Sequence, residues 1–291
     1  MTKFSMSGTL GDAFTVFCKL SGYHKRTGNH VRLYRYNQFP GFDDVLSQFF
    51  GQIPYIEYII ASVYIESGPY SIEDCASFKG PHISTFWDGD GRGIYPDDPR
   101  DMEFDPYPEV YIEPANLKGK NFRVGIQLHS GKVGGNFKGF ALRWLAALRR
   151  WLPSKEFDVY LFGTGDGYNI KRVRRFCERH NIQNYVGKTN FLEWMGYIKS
   201  MDFFITPVGF SAFFAMSQRV RSLVFLRYSR TLFRVPPDWR RENIIMSVGQ
   251  ETLVGRIINR ACRNIIGRNR LLRPLKPAQV RSLVDGEIIY R

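Results

Sequence analysis

Apolar and polar positions along the chain change period several times, and each change marks an element. Phe4–Met6 reads as a short strand entering a glycine turn, Gly8-Thr-Leu-Gly11-Asp12, and the apolar run Ala13–Leu20 after it reads as a helix. His30–Tyr36 (HVRLYRY) alternates as a half-buried strand does, whereas Pro54–Tyr64, rich in Ile, Tyr and Val, fits either strand or helix. After Lys118 the pattern becomes regular. Phe122–Leu128 is a buried-type strand, and Gly139–Leu152 is a helix with Phe140, Leu142, Trp144, Leu145, Leu148 and Trp151 on its apolar face, ended by Pro153. Phe157–Phe162 is a strand, Ile170–His180 a helix, Tyr185–Val186 a short strand, Leu192–Ser200 a helix and Phe203–Thr206 another strand. A stripe of Leu253, Val254, Ile257, Ile258, Ala261, Cys262, Ile265 and Ile266 predicts a late helix with a core-facing side. Repeated β-loop-α units predict an α/β protein with parallel sheets.

Charge divides the chain. Residues 1–117 hold 9 Lys+Arg against 16 Asp+Glu, while residues 118–291 hold 32 against 11, within a formal net charge of +14 over 291 residues. Two domains are expected, 1–117 and 118–291, the second suited to an anionic partner. The acidic, proline-containing stretch 85–113 is expected to be a surface loop or interdomain connection. No run of eighteen apolar residues is present, and the start lacks a signal-peptide core. The four cysteines show no C-x-x-C pair, so the expectation is a reduced, cytoplasmic protein without structural zinc and without a transmembrane segment.

Three strand-to-helix turns are candidates for chemistry. Gly8-x-x-Gly11-Asp12 lets backbone approach a ligand, and Asp12 there either caps the helix or serves as a general base. Gly163-x-Gly165-Asp166-Gly167 is half a dinucleotide fingerprint in the wrong spacing, and Asp166 either meets a ribose or base or caps the next helix. Gly209-Phe-Ser211 puts small residues at a helix start, a position that suits a diphosphate because free backbone donors and the helix dipole both favour anions. Asp88-Gly-Asp90 has the spacing of a metal-binding pair but no evident third ligand, so no metal site is assigned. The five histidines show no metal or triad spacing.

Read in order, VGIQLHSG (124–131), Lys138-Gly-Phe140, VYLFGTGD (159–166), VGKTNFLEW (186–194) and MDFFITPVGFSAFFA (201–215) resemble the nucleotide-sugar-binding domain of the ADP-heptose:lipopolysaccharide heptosyltransferase family. SGTLGDAF (7–14) resembles that family's glycine–aspartate motif. The resemblance implies a GT-B fold, two Rossmann-like α/β domains with parallel sheets facing a central cleft, and an inverting glycosyltransferase needing no obligatory metal. It implies Asp12 as the catalytic base. Gly11, Ser130, Gly131 and Lys138 would meet the donor, Asp166, Lys188 and Thr189 would lie beside the nucleoside, and Gly209 and Ser211 would cradle the diphosphate. The family's Asp-Thr-Gly followed by His is here Pro207-Val-Gly209 with Ala212 in the histidine's place. A UDP-sugar is the expected donor.

From Arg219 to Arg273 there are thirteen arginines, no lysine and three acids. Arginine binds phosphate bidentately, which points to nucleic acid. In compactness and basicity the chain also resembles small phage GT-B enzymes that glycosylate hydroxymethylated bases in DNA, and that resemblance implies 5-hydroxymethylcytosine in phage double-stranded DNA as the acceptor, held through Arg227, Arg230, Arg234, Arg240 and Arg241 and presented to Asp12 in the host cytoplasm. The alternatives are transfer to lipopolysaccharide or another glycan, and a non-catalytic nucleic-acid-binding module.

Overall fold

The computed structural model describes residues 1–6, 8–36, 42–61, 81–84, 102–117, 121–127, 129–133, 136–139, 142–164, 169–226, 235–247 and 270–271. The predicted helix over 253–266, the Asp88–Asp90 pair, Asp166, Arg227, Arg230 and Arg234 lie outside them. The chain divides into two compact units, Met1–Glu113 with Arg234–Trp239, and Pro114–Phe233 with Arg240–Arg291.

The first unit is built as β1 (Thr2–Met6), α1 (Leu10–Thr27), β2 (Val31–Tyr36), α2 (Asp43–Phe50) and β3 (Ile56–Ala61). Its strands run parallel in the order β1-β2-β3, with Met6, Arg35 and Ile60 in register. Helix α1 runs past the predicted Leu20 because Tyr23 is also buried, and Gly28, at φ 69°, ends it in the left-handed conformation. Helix α2 was not expected. Its eight residues are too few for periodicity to show, although Leu46, Phe49 and Phe50 are all buried. Phe17 and Phe49 meet edge to face at 5.1 Å and join the two helices.

Residues 102–113 correct one expectation. The described part of the acidic stretch is not a free surface loop, because Val110 and Ile112 are buried and Asp105 binds α1. The Asp105 amide donates to the Cys18 carbonyl, and its carboxylate takes the Ser21 hydroxyl at 2.6 Å and the Lys25 ammonium at 2.7 Å. Gly22 is what lets this segment close on the helix, since a Cβ there would stand 1.9 Å from the Glu103 carbonyl oxygen. Trp239, from the returning segment of the same unit, is fully buried, meets the Phe104 ring at 5.6 Å and donates its indole N–H to the Pro106 carbonyl at 2.7 Å.

His82 bridges to Ser5 beside β1, and burial pulls its imidazole down to about 4 from an ordinary value of 6.5. The folded state resists a proton that the unfolded chain accepts near pH 6.5, so stability is full above that pH and is lost as pH falls toward 4. The expected loss is about 3 kcal/mol over that window. Urea midpoints measured from pH 7 to pH 4 check it, and His82→Gln should flatten the dependence. An unchanged profile in that variant would place the pH sensitivity elsewhere.

The second unit holds a six-stranded parallel sheet in the order β11-β10-β9-β4-β7-β8. The strands are β4 (Phe122–Gln127), β7 (Phe157–Phe162), β8 (Gln183–Asn184), β9 (Phe203–Pro207), β10 (Arg221–Leu226) and β11 (Ile244–Ser247). The helices are α3 (Leu142–Trp151), α4 (Ile170–His180), α5 (Phe191–Lys199) and α6 (Phe210–Ser217), while α7 (Pro237–Glu242) begins in the first unit and ends in the second. Val124, Ile126, Val159, Leu161, Phe203 and Ile205 from the central strands pack with Leu145, Leu148 and Val173 in one core. Arg149, on the last turn of α3, donates to the His180 and Asn181 carbonyls and so satisfies the carboxyl end of α4.

Three placements differ from the sequence expectation. Gly139 belongs to a strand, and α3 begins only at Leu142. The short strand after α4 is Gln183–Asn184, not Tyr185–Val186. Between β4 and α3 a hairpin intervenes, β5 (His129–Val133) against β6 (Asn136–Gly139), with β12 (Arg270–Leu271) parallel to β6. The Gly134-Gly135 dipeptide between Val133 and Asn136 is the sequence signal for such a hairpin.

Candidate functional site

In the first unit the parallel strands bring both helix starts to the carboxyl edge of the sheet. Gly8 turns the chain at φ 107°, Thr9 is the N-cap of α1, and Asp12 occupies the third helical position. Asp12 Oδ2 accepts from the Thr9 amide and from the Thr9 hydroxyl, each at 2.7 Å. Among the described residues no hydrogen bond engages Oδ1. The cap and the base readings of Asp12 are thus compatible: one oxygen fixes the carboxylate and the other remains open. Gly11 lies half-buried beside it in the first turn.

Gly8 is dictated by this arrangement. A Cβ at residue 8 would stand 2.7 Å from the Asp12 Cβ and 2.8 Å from Oδ2, at a φ that side chains resist. Gly8→Ala is therefore expected to destabilise the unit by about 1–3 kcal/mol. It should also displace the Asp12 carboxylate, the two effects being read by urea unfolding and by the position of residue 12 in the variant's crystal structure. Unchanged values for both would show that the turn relaxes without moving the carboxylate.

Arg35 also belongs to this edge. It is fully buried, its Nη1 pairs with Asp43 at the start of α2, and its Nε and Nη2 have no hydrogen-bond partner among the described residues. The Tyr58 hydroxyl beside it is buried and pushed up to about 12 by desolvation, against the opposing pull of the Arg35 charge. Sequence reasoning missed Arg35. The signal was a cation in the inward register of Val31 and Leu33.

In the second unit the course of the chain locates a crevice. It runs outward from β4 to β7 and β8, then returns to β9 and continues outward the other way through β10 and β11. Adjacent strands β4 and β9 therefore form a topological switch point, and ligands of such sheets bind outside the carboxyl ends there. The β5–β6 hairpin follows β4, and the Gly209 turn follows β9.

These two segments carry most of the predicted donor residues. Ser130 and Lys138 are cross-strand partners in the hairpin, with Gly131 next to Ser130. Lys138 thus lies on a strand and not at the helix start, and Ser130–Gly131 lie on a strand and not in a turn, because the hairpin occupies the span assigned to the helix entrance. Gly209 is the N-cap of α6. Ser211 is buried with its hydroxyl 3.1 Å from that of Thr206, so the turn offers an anion backbone N–H groups and not the serine side chain. Lys188 and Thr189 sit in the turn after β8, tied to the end of β7 by the Gly187 amide on the Gly163 carbonyl. Gly187 itself is at φ 65°.

Lys188 also lines a cavity of about 510 Å³ with Arg174, Cys177, Glu178 and Asn181, along the edge strand β8 and not at the switch point. Of the predicted nucleic-acid residues, Arg240 is half-exposed and Arg241 exposed on α7. No group of metal-ligating side chains gathers among the described residues.

No family sequence profile matches the chain, and no characterised protein matches it by sequence. Solved structures match over nearly the whole length. The glycosyl transferase family 9 protein of Veillonella parvula is similar with a TM-score of 0.61 at 11% identity, covering 98% of this chain and 96% of that one. E. coli ADP-heptose LPS heptosyltransferase II gives 0.63 at 11%, with 98% of each chain covered. E. coli heptosyltransferase WaaC with ADP gives 0.53 at 10%, covering 92% and 99%.

The chain has the GT-B fold. In this GT-B chain the donor residues suggested by sequence concentrate at the switch point of the second unit. The candidate base stands at the equivalent edge of the first.

Proposed function

We propose that this protein is a nucleotide-sugar-dependent glycosyltransferase that moves a glycosyl group onto a hydroxyl of a glycan acceptor. The observation that carries the reading is the β4/β9 switch point, flanked by the Ser130–Lys138 hairpin and the Gly209 helix start, within a GT-B fold. Two of the similar structures are named for ADP-heptose or bound ADP, which supports an ADP-sugar over the UDP-sugar expected from sequence.

The chemistry follows from the groups present. Asp12 Oδ1 takes the proton of the acceptor hydroxyl as that oxygen attacks the anomeric carbon, and the bond to the nucleoside diphosphate breaks. Backbone N–H groups at the start of α6 and the Lys138 ammonium receive the charge that develops on the leaving diphosphate.

Transfer to 5-hydroxymethylcytosine in DNA is the second reading, and one observation favours it. Helix α4 turns Lys171, Arg172, Arg174, Arg175 and Arg179 to solvent against the single acid Glu178. The similar structures favour the glycan acceptor.

A thermal-shift panel of ADP-, UDP- and GDP-sugars tests the donor class, because a ligand bound only by the folded state raises its melting temperature. An ADP-sugar is expected to give the largest rise. No rise with any of them at millimolar concentration would remove the reading, and steep, salt-sensitive binding of hydroxymethylated duplex would promote the DNA acceptor.

A further inference from the structure

Three aromatic rings meet where α5 and α6 begin: Phe191 and Trp194 at 5.9 Å, Phe191 and Phe210 at 5.2 Å, and Trp194 and Phe210 at 5.7 Å. Trp194 is half-buried, yet its indole Nε1 is closed off from solvent and has no hydrogen-bond partner among the described residues. Folded proteins rarely leave a buried N–H unpaired, because the group has lost water and gained nothing. An acceptor from outside the chain would resolve the deficit.

The place of this ring says which acceptor. Trp194 follows the Lys188–Thr189 turn on the first turns of α5. Its neighbour Phe210 is the first residue of α6, directly after Gly209. The ring therefore stands against Phe210 at the Gly209 helix start, one of the two segments that flank the donor site in the reading above. A neutral N–H set in an aromatic wall suits a nucleoside, which offers both a π face and ring or ribose acceptors. The diphosphate is better served by the charged and backbone donors already assigned to it.

We infer that Trp194 is a donor-specificity residue, its indole N–H hydrogen-bonding the nucleoside of the nucleotide sugar while Phe191, Trp194 and Phe210 pack against it. The inference rests on the glycosyltransferase reading. Its ligand class is a nucleoside diphosphate with the nucleoside at the rings.

Trp194→Phe keeps the ring packing and deletes only the N–H. The test compares this variant with wild type by calorimetric titration of ADP and of inorganic pyrophosphate, which lacks the nucleoside. The inference expects ADP to bind the variant about 10-fold more weakly, the size of one hydrogen bond. Pyrophosphate affinity should stay the same, and the melting temperature of the ligand-free variant should be equal or higher, since an unsatisfied donor has been removed. Trp194→Leu should weaken ADP further by removing the wall. The quench of tryptophan fluorescence expected on ADP binding should disappear in both variants. Unchanged ADP affinity in Trp194→Phe overturns the inference and leaves the donor site standing. A lower melting temperature with equal loss for ADP and pyrophosphate would also overturn it, as the mark of a purely structural role. Absence of ADP, UDP and GDP binding to wild type would overturn the donor reading and this inference with it.

Discussion

Asp12→Asn is expected to leave the fold and donor binding intact and to lower turnover roughly 10²–10⁴-fold, the usual size of a general-base contribution. The amide can still accept the Thr9 amide and hydroxyl through its oxygen, so the turn that Gly8 and Thr9 build around residue 12 persists. What is lost is the anionic oxygen that no described residue engages. An Asp12→Asn protein with normal stability and near-normal turnover would remove Asp12 from the base role and leave it as a helix-start residue only. Asp12→Ala separates the two contributions. It should lose turnover to the same extent and about 1 kcal/mol of stability in addition, because both reciprocal contacts with Thr9 disappear.

The largest stability effect is expected at Trp239. It comes from a segment far along the chain yet lies in the core of the first unit, edge-on to Phe104 and bonded to the Pro106 carbonyl. Trp239→Ala removes a fully buried indole and should cost about 3–5 kcal/mol. Trp239→Phe keeps most of the packing and leaves only the carbonyl unpaired, at about 1–2 kcal/mol. Urea midpoints of the three proteins, followed by far-ultraviolet circular dichroism, give the comparison. A loss under 1 kcal/mol for the alanine variant would mean that the segment containing residues 234–239 does not hold the first unit together.

Much of this architecture was legible in the sequence because long elements declare their period. Ile170–His180 was read to the residue, and the strands at Phe4, Val31, Phe122, Phe157 and Phe203 were found to within a few positions. Elements too short to show a period were not: α2 has eight residues, β8 two, and the strands of the β5–β6 hairpin five and four. The hairpin is the costly omission, since it moved Lys138 from a helix entrance to a strand. Its Gly-Gly dipeptide sat between Val133 and Asn136, with too few residues on either side for alternation to frame it.

The site was legible where a motif joins a strand to a helix, as at Gly8–Asp12 and Gly209–Ser211. It was hidden where meaning depends on distant partners. The sequence places Ser211 at a helix start, but only the fold shows its hydroxyl turned to Thr206. Arg35 looked like one polar position in an alternating strand, and only the fold shows two of its nitrogens buried without partners among the described residues. The acidic stretch looked like surface because composition cannot reveal that Asp105 fastens it to α1.

In the proposed reaction the switch point of the second unit holds a nucleotide sugar whose glycosyl group leaves with the help of Asp12. The measurement closest to it is nucleoside diphosphate release from an ADP-sugar, made on wild type and Asp12→Asn at matched donor occupancy. Wild type is expected to give measurable release, with water or an added hydroxyl compound as acceptor. The rate in the variant should be at least about 100-fold lower, with the donor dissociation constant unchanged. Equal rates in the two proteins, or no release from any nucleotide sugar that binds, would contradict it.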